Sequence, residues 1–435
     1  MGIIFFFKKE FLLLRNSEFF HQVSLLATGS LAAQIIVISN SPVITRIFSP
    51  DALGVVAFFT SIVGLLAIIS IMSYPTAIVL PRSDKQALRL IVLSILLATI
   101  FSIIFLLIYI VYGERVLGLF EVSKIKSYVY LIPIAIIGSA FSSVTSQWMI
   151  RRNLFLIISK IAVITALTTS ALKIVIGYFY PEPTVLIYIS TMGLFFSTAL
   201  FLHYSPLKVS SFLTKKIATR CLIKLFLTAK IFKDFCIYRT PQNLINIINH
   251  SMPIFLLSIL FGMTNSGYYS LSFAVMSVPI TVISGSVYQV IYPKINSLHK
   301  KNINISPFLY KTTLWLAIVG VIPLAIIMWF GQEIFTFIFG EQWGGAGVYA
   351  QWMSIALFFH YVSRPVIAAI PVIGIQKELL IWELIDFMIK VCTSYIVYLY
   401  TNNDVLMVAS FSIVSVINTS FLTLYVYIYS KKLIR

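Results

Sequence analysis

Acidic residues are the scarcest charge in this sequence. Asp and Glu number 14 against 32 Lys and Arg, and all charged residues together make up 11% of 435 positions. Charge this dilute cannot solvate a water-soluble fold of such length. Cysteine is almost missing too. Cys221, Cys236 and Cys392 form no CxxC pair and no Cys/His ligand spacing, so they read as packing residues rather than a metal or redox set. There is no P-loop, no GxSxG and no HExxH, which argues against ATP-driven transport by this chain alone and against the familiar hydrolases. Residues 1–20, MGIIFFFKKEFLLLRNSEFF, put their apolar run before their charges and lack a small-residue cleavage site. They read as a cytoplasmic or interfacial lead-in rather than a signal peptide.

What is abundant is apolar. Hydrophobic residues reach 59%, aromatics 15%, and the mean hydropathy is +0.97, values that place the chain among all-α polytopic membrane proteins. About twelve transmembrane helices can be placed, at 22–48, 55–80, 90–112, 127–150, 155–180, 184–204, 238–262, 267–292, 308–330, 348–373, 378–400 and 405–429. The net charge of +18 does not point to nucleic acid, because Lys and Arg sit between the apolar runs. With the N-terminus inside, one side collects Lys8, Lys9, Arg15, Arg82, Lys85, Arg89, Arg151, Arg152, the basic run 208–239, Lys294, Lys300, Lys301, Lys311 and the C-terminal tail. The other side holds only Arg46, Arg115, Lys124 and Lys126. The asymmetry predicts both termini in the cytoplasm.

The chain also repeats itself. FSPDALG at 48–54 and FGMTNSG at 261–267 join successive spans, and IVLP at 78–81 is echoed by VIYP at 290–293. A third echo links 113–120 with 331–339. The offsets predict two six-helix lobes in parallel orientation, a transporter plan. The expected division is an N-terminal lobe at 1–206, a basic amphipathic cytoplasmic linker at 207–237 and a C-terminal lobe at 238–435. In the linker, Phe212, Leu213, Ile217, Leu222, Leu225 and Phe226 alternate with Lys215, Lys216, Arg220, Lys224 and Lys230, a spacing suited to an anionic membrane surface.

Polar groups inside the spans mark the candidate site, since they are costly in hydrocarbon. Asn243, Asn246 and His250, flanked by Gln242 and Asn249, share one face of the seventh span. Ser24, Thr28, Gln34, Ser41 and Thr45 form a second stripe in the first span. Such stripes line a cavity or hydrogen-bond to neighbouring helices. His360 and Arg364 lie four apart in the tenth span, where a guanidinium needs water, a carboxylate or an anionic substrate. Asp386 and Lys390 in the eleventh span have the spacing of an ion pair and are candidates for ion coupling. Lys160 and Lys173 of the fifth span have the reach to snorkel. Prolines at 42, 75, 133, 253, 279, 323, 365 and 371 interrupt the spans.

Four stretches together carry a family resemblance: KDFCIYRTPQNLINIINHSMPIFLLSILFG, SGYYSLSFAVMSVPITVISGSVYQVIYPKI, TRIFSPDALGVVAFFTSIVGLLAIIS and FGEQWGGAGVYAQWMS. The chain resembles the oligosaccharide flippases of bacterial surface-polysaccharide synthesis. These are the polysaccharide transporters of the multidrug/oligosaccharidyl-lipid/polysaccharide exporter superfamily. The resemblance implies two six-helix lobes around a central cavity that opens alternately to each side of the bacterial inner membrane. It implies a transporter rather than an enzyme, moving an undecaprenyl-diphosphate-linked oligosaccharide for O-antigen or capsule synthesis. It brings no cofactor. The expected partners are that substrate, membrane lipids and the polysaccharide polymerase complex, with the chain itself a monomer. The family's cavity is often cationic, and two departures bear on that. Where many relatives have Arg early in the eighth span this chain reads Ser272-Phe273-Ala274, and Cys236 replaces the Pro common after KDF. Arg364 is thereby the main candidate for the anion, with His360, Asn243, Asn246, His250, Gln34, Lys160 and Lys173 toward the rest of the substrate. Arg151 and Arg152 fall at the cytoplasmic mouth. Two alternatives stay open, a cation-coupled multidrug exporter of the same superfamily and a membrane glycosyltransferase or polymerase. The first lacks a carboxylate within the first six spans, and the second lacks a large outer loop.

Overall fold

The computed structural model describes residues 18–118, 123–204, 218–301 and 303–432, and the described residues are helical nearly throughout. The N-terminal lead-in at 1–17, residues 205–217 with the first part of the linker, and the side chain of Ser24 lie outside the described residues. In chain order the helices are α1 (Glu18–Ile47), α2 (Pro50–Ile71), α3 (Tyr74–Ala77), α4 (Asp84–Gly118) and α5 (Ile132–Arg151). They continue with α6 (Phe155–Phe179), α7 (Pro183–Tyr204), α8 (Ala218–Ile231), α9 (Thr240–Leu260) and α10 (Met263–Lys300). The last five are α11 (Ser306–Phe339), α12 (Gly344–Val362), α13 (Arg364–Ile373), α14 (Gln376–Thr401) and α15 (Asp404–Lys432). A 3-10 helix at Ser123–Leu131 leads into α5, and a single π turn at Phe235–Arg239 leads into α9.

Every apolar run of the sequence coincides with a helix or a broken helix. Among the described residues nine helices are long and apolar enough to cross a membrane, and a tenth path is the α12–α13 pair, bent by 42°. Helices α10 and α14 occupy the eighth and eleventh runs. Backbone N–H and C=O groups have no water to bond with in hydrocarbon, which is why these runs fold as helices. The protein is a multi-pass membrane protein.

Two spans are broken where the apolar pattern is continuous. The second breaks after α2, because Met72 (φ 47) and Ser73 (φ 54) are both left-handed and Pro75 starts the short α3. The tenth breaks at Ser363, where Pro365 removes an N–H and disfavours the helical state of the residue before it. Prolines at 42, 253, 323 and 371 are instead absorbed inside helices.

Contacts divide the described chain into two compact units. Residues 22–48 and 55–259 form the first; residues 49–54 and 260–435 form the second. In the first, Tyr74, Ala77, Ile78, Ala87, Leu90, Val144, Trp148 and Leu225 form a core that brings α3, α4, α5 and α8 together. In the second, the short α13 is wedged by Val366, Ala369 and Ile370 against Ile291 and Ile295 of α10, Leu309 of α11 and Val426 of α15. Ser272 Oγ donates to the Ala346 carbonyl at 2.6 Å, and Tyr349 Oη donates to Asp404 at 2.5 Å, tying α10 to α12 and α12 to α15.

The repeat is visible as a contact within the second unit. A Cβ placed on Gly54 would lie 1.7 Å from the Met263 carbonyl oxygen, and one on Gly267 would lie 2.0 Å from that of Pro50. Gly54 and Gly267, like Pro50 and Met263, are separated by 213 residues (267 − 54 and 263 − 50). The two joins that the sequence repeats therefore pack on each other reciprocally.

Candidate functional site

The polar seam of α9 does two different jobs. Near its start, Asn243 Nδ2 donates to Ser73 Oγ at 3.1 Å, and Thr240 Oγ1 lies 3.1 Å from the same atom. Ser73 is buried at 3% exposure, in the middle of the left-handed break of the second span. A non-glycine residue held left-handed costs on the order of 1–3 kcal/mol and persists only where its surroundings over-determine it. Here Thr240 and Asn243 supply that restraint, and Cys236 Sγ lies 3.6 Å from Met72 Sδ beside it. Further along, Asn246 and His250 are exposed on the α9 surface while Asn249 is half-buried. Gln242 is engaged by Arg239 Nη1 at 2.9 Å.

The stripe of α1 is less open. Ser41 Oγ donates to the Ile38 carbonyl at 2.6 Å and Thr45, at 1% exposure, to that of Pro42 at 3.1 Å, so both bond back to their own helix. Gln34 is half-buried. Gly29 meets α6 closely: a Cβ placed on it would lie 2.1 Å from Ser159 Cβ. On α6, Lys160 is exposed and Lys173 is half-buried, with no ion-pair partner among the described residues.

Arg151 and Arg152 are drawn into the structure of the second span. Arg151 reaches Asp84 Oδ1 at 3.0 Å and donates to the carbonyls of Ile78, Val79 and Pro81 at 3.2, 3.3 and 2.5 Å. These carbonyls belong to the link between α3 and α4, outside either helix. Arg152 binds Asp84 Oδ2 at 2.7 Å and lies 4.8 Å over the Trp148 ring. The Arg151 side chain is 11% exposed and that of Arg152 40% exposed, so only Arg152 keeps an open face. Sequence reasoning missed the role of Asp84, whose position 67 residues from Arg151 gave no local signal.

In the second unit Arg364 opens α13 directly after the break. Its Nε is fully buried and has no hydrogen-bond partner, and no ion pair reaches the side chain among the described residues. His360 belongs to α12, on the other side of the 42° bend from Arg364. Asp386 and Lys390 do come together on α14. Lys390 Nζ lies 2.6 Å from Asp386 Oδ2, with the side chains 14% and 12% exposed. Asp386 Oδ1 is buried without a partner, and Glu383, one turn earlier, adds a second carboxylate to that face. Removing one member of a buried pair strands the other charge at a cost of about 3 kcal/mol. Lys390→Met is therefore expected to lower the unfolding temperature in detergent, and adding Asp386→Asn should recover most of the loss. A single variant as stable as the parent would show the pair to be solvated.

Comparison with known proteins follows the same outline. A family model described as polysaccharide biosynthesis protein matches residues 43–347, well over half of the chain. No curated protein sequence matches. Among solved structures, the lipid II flippase MurJ in an inward closed conformation superposes with a TM-score of 0.68 at 14% identity, covering 94% of this chain and 91% of that one. An inward-facing multidrug resistance MATE family transporter of the MOP superfamily gives 0.66 at 12% identity, covering 94% of each chain. A mutant of a Vibrio cholerae MATE transporter gives 0.55 at 11%, covering 95% of each. At these identities the superpositions establish the fold, and the family match establishes kinship. The chain belongs to the polysaccharide biosynthesis protein family and has the fold shared by MATE transporters and MurJ.

Proposed function

We propose that this protein is a flippase that carries an undecaprenyl-diphosphate-linked oligosaccharide repeat unit across the bacterial inner membrane, for O-antigen or capsule synthesis. The observation that carries the reading is Arg364. A half-buried guanidinium at a helix break, its Nε fully buried and without a hydrogen-bond partner among the described residues, is costly in hydrocarbon and is suited to an anionic substrate group. A diphosphate is such a group, and the family membership supplies the polysaccharide context. MurJ, a lipid II flippase of the same fold, supports a lipid-linked cargo by analogy.

The remaining parts follow from what the substrate needs. Sugar hydroxyls need amide and imidazole partners, which Asn246 and His250 offer on the α9 surface, with Gln34, Lys160 and Lys173 as further candidates. The diphosphate and sugars cannot cross bare hydrocarbon cheaply, whereas the polyprenyl tail can stay in lipid. Alternating access by lobes 1–206 and 238–435, joined by linker 207–237, gives the transport cycle, with both termini cytoplasmic. Arg152 is the better placed of the two mouth arginines to meet an incoming anionic carrier, because Arg151 is occupied. Asp386 and Lys390 are the candidate coupling pair.

The reading is tested by reconstituting the protein in vesicles with a fluorescent undecaprenyl-diphosphate oligosaccharide and following its passage to the opposite leaflet. Movement that needs the protein is the expected result; none would overturn it. In cells, Asn246→Cys and His250→Cys should react with impermeant thiol reagents from one side at a time. Labelling from neither side would make the seam helix packing. A multidrug exporter would instead move cationic drugs and leave the labelled lipid in place.

A further inference from the structure

Helix α8 is too short and too basic to span a membrane, and too apolar on its outer side for water. It has 14 residues, about 21 Å of helix, and carries Arg220, Lys224 and Lys230 with no acid. Its inner face is settled: Leu225 is 5% exposed and Thr228 1%, and Ala229 and Phe232 pack on the same core. Its outer arc presents Ile223 at 65% exposure, Phe226 at 71%, Leu227 at 51% and Ile231 at 63%. Lys224 and Lys230 are exposed among them. Apolar side chains interleaved with lysines suit the headgroup zone of a bilayer, where the stems lie along the apolar side chains and the ammonium groups reach phosphate.

The seat of α8 fixes its depth. Leu225 packs with Ala87, Leu90 and Ile91 in the first turns of α4, where the third apolar run begins. The helix therefore lies at the membrane edge of the first unit. It also touches the broken span: Leu225 shares the core of Tyr74, Ala77 and Ile78, and Tyr74 Oη donates to the Ala229 carbonyl at 3.4 Å. The segment immediately after the left-handed Met72–Ser73 pair is thus roofed by α8.

We propose that the outer face of α8 is a binding surface for the anionic headgroups of the adjoining leaflet, and that this docking holds the Met72–Ser73 break in place through Leu225 and Tyr74. The occupant is lipid rather than a protein partner because the charges exposed among these apolar side chains, Lys224 and Lys230, are both cationic and the face is continuous with the point where α4 enters the membrane. The reading is independent of the substrate.

Hydrogen exchange on the full-length protein in nanodiscs tests it, comparing phosphatidylcholine alone with phosphatidylcholine containing phosphatidylglycerol. Each lysine near an anionic surface is worth about a fivefold change in an equilibrium. Exchange over 218–231 is expected to slow at least about fivefold with phosphatidylglycerol, and exchange over 72–81 to slow with it. The Lys224→Gln, Lys230→Gln double variant, which changes only exposed side chains, should lose both effects, and so should high salt. Equal exchange in the two lipids overturns the anionic surface and leaves the face to a protein partner or to water. Slowing that is the same in both lipids, or that survives the double variant, reduces the contact to apolar insertion and overturns it as well. Protection of 218–231 without protection of 72–81 overturns the link to the break.

Discussion

Gly54→Ala is expected to disrupt assembly of the second unit, although it adds one methyl group. The new carbon would sit 1.7 Å from the Met263 carbonyl oxygen, 2.6 Å from its carbonyl carbon and 2.8 Å from Ser266 Oγ. Two of those three atoms are backbone, so no rotamer relieves the overlap and the turns must move apart. Overpacking of a close contact costs about 1–3 kcal/mol, and more where backbone is the obstacle. Gly267→Ala meets the Pro50 carbonyl at 2.0 Å and the Gly54 nitrogen at 3.1 Å, so it should behave alike. Because both methyl groups force the same separation, the double variant should cost much less than the sum of the singles. Gly262 provides the control. Its φ of +96° strains any other residue, but no atom lies within 4 Å of a Cβ there. Gly262→Ala is thus expected to lose about 1 kcal/mol from backbone strain alone. Unfolding temperatures and membrane yield of the four variants decide the matter, and a Gly54→Ala protein as stable as Gly262→Ala would refute the close crossing.

Those two glycines also show what can be read from sequence and what cannot. The repeated joins FSPDALG and FGMTNSG can be aligned by eye, and their offset leads straight to the pair. That they touch one another is a fact of tertiary structure. The helices were legible for the same reason as the joins: an apolar run in lipid has to satisfy its own backbone, so hydropathy alone locates it. The breaks were half legible. Pro75 and Pro365 mark them, but the prolines at 42, 253, 279, 323 and 371 are carried inside helices, and proline by itself does not say which will break. What makes Met72–Ser73 a break is its restraint by Thr240 and Asn243, 167 and 170 residues away along the chain. Asn243 accordingly looks like its neighbours Asn246 and His250 in any helical projection, yet it is half-buried and bonded to Ser73 while they are exposed. Arg151 and Arg152 pose the same problem. Their charge was visible, but the carboxylate of Asp84 and the three carbonyls that Arg151 binds lie across a fold that periodicity does not encode.

Arg364→Ala is expected to abolish transport and at the same time to raise the stability of the protein. The two effects have one cause. In the protein without substrate, Nε of Arg364 is buried and unsatisfied, a penalty of about 1–3 kcal/mol for a polar group and more for a charged one. Alanine removes that penalty. Its cost in packing is small, because the core around α13 is made by Val366, Ala368, Ala369 and Ile370, which stay in place. A substrate diphosphate would supply the missing acceptors, and a charge-assisted bond of about 1.5–3 kcal/mol corresponds to a loss of roughly 10- to 100-fold in its capture. Arg364→Lys keeps the charge but not the planar fork that matches a phosphate with two parallel bonds, so it should retain part of the transport. The stability measurement separates substrate contact from a structural role. If Arg364 served the fold, Arg364→Ala would unfold at a lower temperature, and lost transport would follow from lost protein. A variant that is at least as stable, reaches the membrane in normal amount and leaves surface polysaccharide unmade places the guanidinium on the substrate. Full surface polysaccharide from that variant would take Arg364 out of the site.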